Sequence, residues 1–89
     1  MNSRSEVYGT AQRAISDLKA AVHFVLTDAE NKGQDGLRNV DVGKALGIYM
    51  GHVEHVGHIS RTLLAMMEAE GVAEQDENGK MWRLKRHPE

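Results

Sequence analysis

Three histidines at every third position in the middle of the chain have the spacing most suggestive of chemistry. If this segment were helical, His52, His55 and His58 would share roughly one face and could offer imidazole nitrogens to zinc or nickel. Two glycines interrupt the segment and no thiolate accompanies it. The pattern therefore favours ordinary loop residues, with a protonated histidine on a phosphate group as the functional alternative. We expect no metal or other cofactor.

Nucleophilic catalysis has little support in the sequence. The chain contains no Cys, which removes a thiolate nucleophile, a thiolate zinc site and any disulfide bond. Ser60 lies two residues after His58, but no glycine-rich elbow, oxyanion donor set or supporting acid accompanies the pair. We therefore expect a protein that is not an enzyme.

The charged residues give two opposing indications about whether the chain binds nucleic acid. Eleven Lys and Arg against thirteen Asp and Glu leave a formal net charge of -2, whereas DNA-binding domains usually have a basic excess because phosphate contacts dominate their affinity. The distribution argues the other way, since residues 80–88 contain no acid and carry Lys80, Arg83, Lys85 and Arg86. The sequence therefore predicts one basic edge.

Length and hydropathy predict one domain over residues 1–89 with a single modest core. Residues 1–6 lack the apolar segment of a secretion signal. The longest apolar run, 63–67, is far shorter than the roughly 20 residues that a membrane-spanning helix needs. We expect a cytoplasmic protein that does not contact a membrane.

The strongest periodic pattern lies in the first third of the chain. Apolar residues alternate there at spacings of four and three, which is typical of an amphipathic helix: Ala11, Ile15, Leu18, Val22, Val25 and Ala29. The start of this helix is open, because Ser3 and Glu6 have the form of a capping box whereas Thr10 could cap a later start. We place an N-terminal arm at 1–9 and the helix at 10–32.

Two shorter helices and a hairpin follow. The second helix is predicted over 39–46, with Asn39 as a capping residue, and the third over 58–70. A hairpin is predicted over 72–85, turning on Asn78-Gly79. In the third helix the residues expected to face inward are Ile59, Leu63, Met66 and Met67, and in the last strand they are Trp82 and Leu84.

This order of elements resembles the winged helix-turn-helix superfamily over about residues 10–86. Residues 36–48 look like the second helix of that family, and Trp82-Arg83-Leu84 looks like a wing strand. The resemblance implies an α+β, mainly α fold of three helices and a C-terminal β-hairpin wing that binds double-stranded DNA. The chain departs from the family in its long first helix and in an enlarged turn, 48–58, between the second and third helices.

The resemblance also implies that the third helix enters the major groove while the wing touches phosphate. Arg61 can donate two parallel hydrogen bonds to guanine, and the small side chain of Ala65 would let the helix lie close to the groove. The expected DNA contacts are His58, Ser60, Arg61, Thr62 and Ala65 on the third helix, Arg38 and Lys44 near the second, and Lys80, Arg83, Lys85 and Arg86 on the wing. We expect a DNA-binding module of a transcriptional regulator or of a larger system.

Four alternatives stay open. The polar face of the third helix could simply be solvated, and Glu74 with Arg83 could form a cross-strand pair that stabilises the hairpin. The same fold could serve as a protein-interaction adaptor without DNA affinity. The slightly negative net charge of the chain would suit this role. The first helix runs for about six turns where a winged-helix core needs about three, so it could either form a homodimer seam or pack back within one chain.

Overall fold

The computed structural model describes residues 3–50 and 56–85. Three helices, α1 (Arg4–Asn31), α2 (Asn39–Ala45) and α3 (His58–Ala69), precede an antiparallel hairpin of β1 (Ala73–Gln75) and β2 (Trp82–Leu84). The expected class, α+β and mainly α with a C-terminal hairpin, is confirmed at that level. Within the described ranges, no helix combines the length and the apolar character needed to cross a membrane.

Helix α1 starts earlier than predicted. It begins at Arg4, because the Ser3 hydroxyl accepts a hydrogen bond from the Glu6 backbone N–H at 3.3 Å and caps the first turn. The arm predicted at 1–9 is therefore wrong for residues 4–9, which are helical. Gly9 lies inside the helix despite its low helix propensity, which costs only about 1 kcal/mol relative to Ala.

The hydrophobic core lies against the C-terminal half of α1. Each of the three helices and both strands contribute buried side chains to it. These are Val22, Leu26, Val42, Leu63, Leu64, Met67, Ala73 and Trp82. An ion pair between Lys19 Nζ and Glu70 Oε2, at 2.7 Å, joins the middle of α1 to the end of α3. The N-terminal half of α1 extends beyond this core.

Helix α3 is rotated relative to the face predicted for it. Leu63 and Met67 are buried as expected, but Ile59 is 38% exposed and Ser60 is fully buried in its place. The prediction erred because two sets of positions have helical spacing: the predicted set 59, 63, 66 and 67, and the observed set 60, 63, 64 and 67. The two sets share Leu63 and Met67. Packing selected the face that contains Leu64, which is fully buried.

The hairpin has the predicted alternation but a longer turn. Trp82 is buried, Arg83 is exposed and Leu84 is half-buried. The predicted Asn78-Gly79 pair lies in the turn, where Gly79 has φ +69° and Asn78 does not adopt a positive φ. The Asp76 carboxylate accepts a hydrogen bond from the Lys80 backbone N–H at 3.0 Å and organises the turn.

A short extended segment before α2 lies beside β2. Leu37 and Trp82 exchange backbone hydrogen bonds of 2.8 and 2.6 Å, which places the start of α2 next to the hairpin. The preceding residue must be glycine: Gly36 has φ +145°, and a Cβ atom there would lie 2.7 Å from the Trp82 carbonyl oxygen. This backbone contact places Arg38 and Lys80 on the same surface of the protein.

Candidate nucleic-acid interface

Ser60 lies in the joint between α2 and α3, so the DNA contact predicted for it is wrong. Its hydroxyl has no exposed surface and donates a hydrogen bond to Asn39 Oδ1 at 2.7 Å. The Asn39 amide in turn donates to the Gly57 carbonyl at 3.1 Å. A buried hydroxyl needs a partner of this kind, and the three residues together hold the start of α3 against the start of α2.

Asn39 therefore has a different role from the predicted helix cap. Arg38 occupies the capping position, and its backbone N–H donates to Asp41 Oδ2 at 3.1 Å, which is one half of a capping box. The Asn39 side chain is thus available for the joint. Sequence reasoning missed this role because the partners of Asn39 lie 18 and 21 positions along the chain.

Tyr49 completes the joint by packing against two glycines. A Cβ atom at Gly43 would lie 3.0 Å from Tyr49 Cβ and from Ser60 Oγ. At Gly57, which has φ +86°, it would lie 2.7 Å from the Tyr49 ring. A glycine inside a predicted helix was the available signal for this close approach.

The exposed face of α3 carries four of the five residues predicted for it. His58, Arg61, Thr62 and Ala65 are all exposed. Residues 58, 62 and 65 follow one another at helical spacings of four and three, so they form one stripe with Arg61 beside it. The Thr62 hydroxyl donates to the His58 carbonyl at 2.9 Å, which leaves its oxygen as an acceptor. Glu68, also exposed, adds an acid near the end of this face.

Three predicted cations gather around Tyr49. Arg38 and Lys80, from the start of α2 and from the hairpin turn, line an open groove of about 320 Å³ together with Asn39, Val40 and Tyr49. Lys44 Nζ lies 5.7 Å from the centroid of the Tyr49 ring, within the range of a cation–π interaction. We call Arg38, Lys44, Lys80 and Tyr49 the basic groove. It adjoins the start of α3, because Tyr49 packs on Gly57.

The other predicted wing cations do not join this group. Arg83 Nε lies 3.2 Å from Glu74 Oε1, its directly opposed partner in the hairpin, so the cross-strand pair left open above is present. Lys85 is exposed after β2. Arg86 lies outside the described residues, as do His52 and His55.

Acidic side chains collect on a different surface. A second groove of about 330 Å³ is lined by Glu30, Asp35 and Glu74, with Arg83 and apolar Leu26 and Leu84 among its other residues. This groove shares no residue with the basic groove. The net charge of -2 is therefore unevenly distributed over the molecule.

Asp76, four residues before Lys80, has a structural role. The Lys80 N–H is the main cause that lowers the pKa of its carboxyl group, and the N–H groups of Met81, Asn78 and Gly79 act in the same direction. The charged carboxylate is thus committed to the backbone of the turn that presents Lys80.

The three-histidine set that could bind a metal ion includes His52 and His55, which lie outside the described residues. Within 3–50 and 56–85, no three His, Asp or Glu side chains lie close enough together to hold a metal ion. His58 is exposed at the start of α3.

The comparisons with known proteins add no relative. No protein-family model, no curated protein and no solved structure matches this chain.

Proposed function

We propose that this protein binds double-stranded DNA as a winged helix-turn-helix module, with α3 in the major groove and the basic groove on the phosphate backbone. The observation that carries the proposal is the position of the basic groove. Arg38 and Lys80 line one groove with Tyr49, and Lys44 Nζ lies 5.7 Å from the centroid of the Tyr49 ring. Tyr49 packs on Gly57, the residue before α3. Phosphates flank the major groove on both sides, so cations beside a helix that enters it are well placed to bind them.

The exposed face of α3 suits the reading of bases. Arg61 has no carboxylate partner among the described residues, so its guanidinium is available for a paired hydrogen bond to guanine. Thr62 offers an acceptor oxygen, and Ala65 adds no bulk between the helix and the base edges. His58 would lie nearest the backbone, at the start of the helix.

The basic groove sets the expected salt dependence. If Arg38, Lys44 and Lys80 each neutralise one phosphate, the logarithm of the binding constant falls with the logarithm of salt concentration at a slope of about -2.7 per chain. Affinity then drops roughly 40-fold between 50 and 200 mM salt. Such a module would act in a transcriptional regulator or as the recognition domain of a larger system.

The test is fluorescence anisotropy with a selected duplex and a random duplex. Arg61→Ala should weaken binding to the selected duplex by about 1 to 3 kcal/mol and reduce the preference over the random one. Arg13→Ala is the matched control, because Arg13 is an exposed arginine on α1 away from the proposed interface. Equal losses for the two variants would contradict a base-reading role of α3.

The phosphate contacts are tested through the salt slope. Arg38→Ala and Lys80→Ala should each reduce its magnitude by about 0.9 and weaken both duplexes alike. Lys32→Ala is the control, since Lys32 is exposed and pairs with Asp28 at 2.9 Å at the end of α1. A slope that does not change in the first two variants would overturn the assignment of the groove.

A protein-interaction adaptor is the second candidate. Two exposed apolar residues favour it, Met50 at 51% and Ile59 at 38% exposure, because both lie at the boundary between the α2–α3 connection and α3. An adaptor would show no salt-dependent affinity for any duplex. Ile59→Asp would then abolish partner capture.

A further inference from the structure

The N-terminal half of α1 has an apolar face that nothing in the described chain covers. Val7 is 54% exposed and Tyr8 is 68% exposed, and Ala11 and Ala14 are exposed beside them. At 100° per residue these four lie on the side of α1 that, further along, packs into the core through Val22 and Leu26. The apolar stripe therefore continues past the end of the core.

The length of this uncovered face is well defined. Leu18 is half-buried against the core and Lys19 pairs with Glu70, so the body of the protein begins there. Residues 4–17 are left as a free helical segment of about 21 Å at 1.5 Å per residue. Four turns of helix are available to a partner.

We propose that a second copy of this chain covers the free segment, with the two α1 helices antiparallel and crossing at Ala11. In that register Val7 lies opposite Ile15 of the other copy, and Tyr8 lies opposite Ala14. Each large side chain thus meets a smaller or complementary one, and the two copies of Ala11 let the backbones approach closely at the centre. A two-fold axis makes both halves of the seam equivalent.

The antiparallel direction follows from the position of the body. The core lies on the same face of α1 as the seam, so a parallel pair would bring both bodies into one volume. It would also place Arg4 opposite its own copy. The antiparallel pair puts the bodies at opposite ends and sets Arg4 opposite Leu18, with Asp17 as an acidic neighbour.

Charge and area both suit a second copy. The free segment carries two basic and two acidic residues, Arg4, Arg13, Glu6 and Asp17, so two copies have no net repulsion. Seven seam positions per helix bury on the order of 1,000 Å² in total, which is at the low end for a specific interface. We therefore expect a dimer that dissociates in the micromolar range. This pairing is independent of the proposed DNA binding.

Sedimentation equilibrium of the full chain tests the seam. The wild type should change from monomer to dimer between about 1 and 100 µM, and Ala11→Glu should stay monomeric because it buries two carboxylates at the centre. Phe24→Glu is the control: Phe24 is 72% exposed on the far side of α1, so this variant should still dimerise. A monomeric wild type at 1 mM, or dissociation by Phe24→Glu instead of Ala11→Glu, would overturn the proposal.

Cross-linking tests the direction of the helices. The chain has no Cys, so a single introduced thiol reports one position. In the antiparallel register the two copies of residue 12 are offset by about 3 Å along the helix axis, and the two copies of residue 5 by about 18 Å. A short bismaleimide should therefore join Gln12→Cys chains and leave Ser5→Cys chains unjoined. Equal yields at the two positions would indicate a parallel pair and refute the register.

Discussion

Removal of the Ser60 hydroxyl tests the joint between α2 and α3 most directly. Ser60→Ala removes a hydroxyl that has no exposed surface and leaves the half-buried Asn39 Oδ1 without its 2.7 Å hydrogen bond. An acceptor stranded in this way costs about 1 to 3 kcal/mol, whereas alanine regains about 0.5 kcal/mol of helix propensity. The free energy of unfolding should fall by about 0.5 to 2.5 kcal/mol.

The assay is urea unfolding followed by circular dichroism, with thermal unfolding in parallel. For a domain of this size, 1 kcal/mol corresponds to about 4 to 8 °C in Tm, so a fall of roughly 2 to 20 °C is expected. The urea m-value should not change, because the same surface is exposed on unfolding.

Thr62→Ala provides a matched control on the same helix. Its hydroxyl also donates a hydrogen bond, to the His58 carbonyl, but it is exposed and water can replace it. This variant should lie within about 0.5 kcal/mol of the wild type. If Ser60→Ala is as stable as Thr62→Ala, the reasoning about the joint is refuted.

A double-mutant cycle identifies the partner. Asn39→Ala and Ser60→Ala should be coupled by about 0.5 to 3 kcal/mol, because each removes the other's hydrogen-bond partner. Additive effects of the two substitutions would show that the stability of the joint comes from elsewhere.

Further predictions concern α2 and the hairpin turn. Gly43→Ala should destabilise the protein by about 1 kcal/mol or more in the same urea assay, since its Cβ would press on Ser60 Oγ at 3.0 Å. Gly9→Ala should instead stabilise the protein by about 0.5 to 1 kcal/mol, because its Cβ would meet only a flexible side chain. The Lys80 N–H lowers the pKa of Asp76 from its ordinary value of 3.8, so its charged form stabilises the fold above that pH and the stabilisation is lost as the pH falls through the lowered pKa. Asp76→Asn should therefore be less stable than the wild type at pH 7, with the difference shrinking in unfolding curves below pH 4; a difference independent of pH would refute this role.

Local patterns in the sequence were sufficient for the elements themselves. The four-and-three spacing of apolar residues predicted α1, and the alternation of Trp82, Arg83 and Leu84 predicted a strand with one buried face. Both signals depend on helix and strand periods that short-range geometry imposes. The start of α1 was predicted less well, because Ser3 and Thr10 offered competing caps and the sequence does not rank them.

The face of α3 required the whole structure. Two sets of positions with helical spacing competed, and the hydroxyl of Ser60 can be buried because Asn39 and Gly57 satisfy it. Those partners lie on α2 and before α3, so the sequence of α3 alone does not predict them. The predicted exposed residues Arg61, Thr62 and Ala65 stayed on the surface because they lie opposite Leu63 and Leu64 in either orientation.

Residue types and periods along the chain thus determined three helices, a hairpin and an apolar stripe on α1, since each depends on neighbours a few positions apart. The grouping of Arg38, Lys44 and Lys80 around Tyr49 was decided only by tertiary structure. It arises because the Leu37–Trp82 backbone pairing brings the hairpin beside α2. A contact between residues so far apart in sequence is selected by the packing of the whole core, which no local pattern encodes.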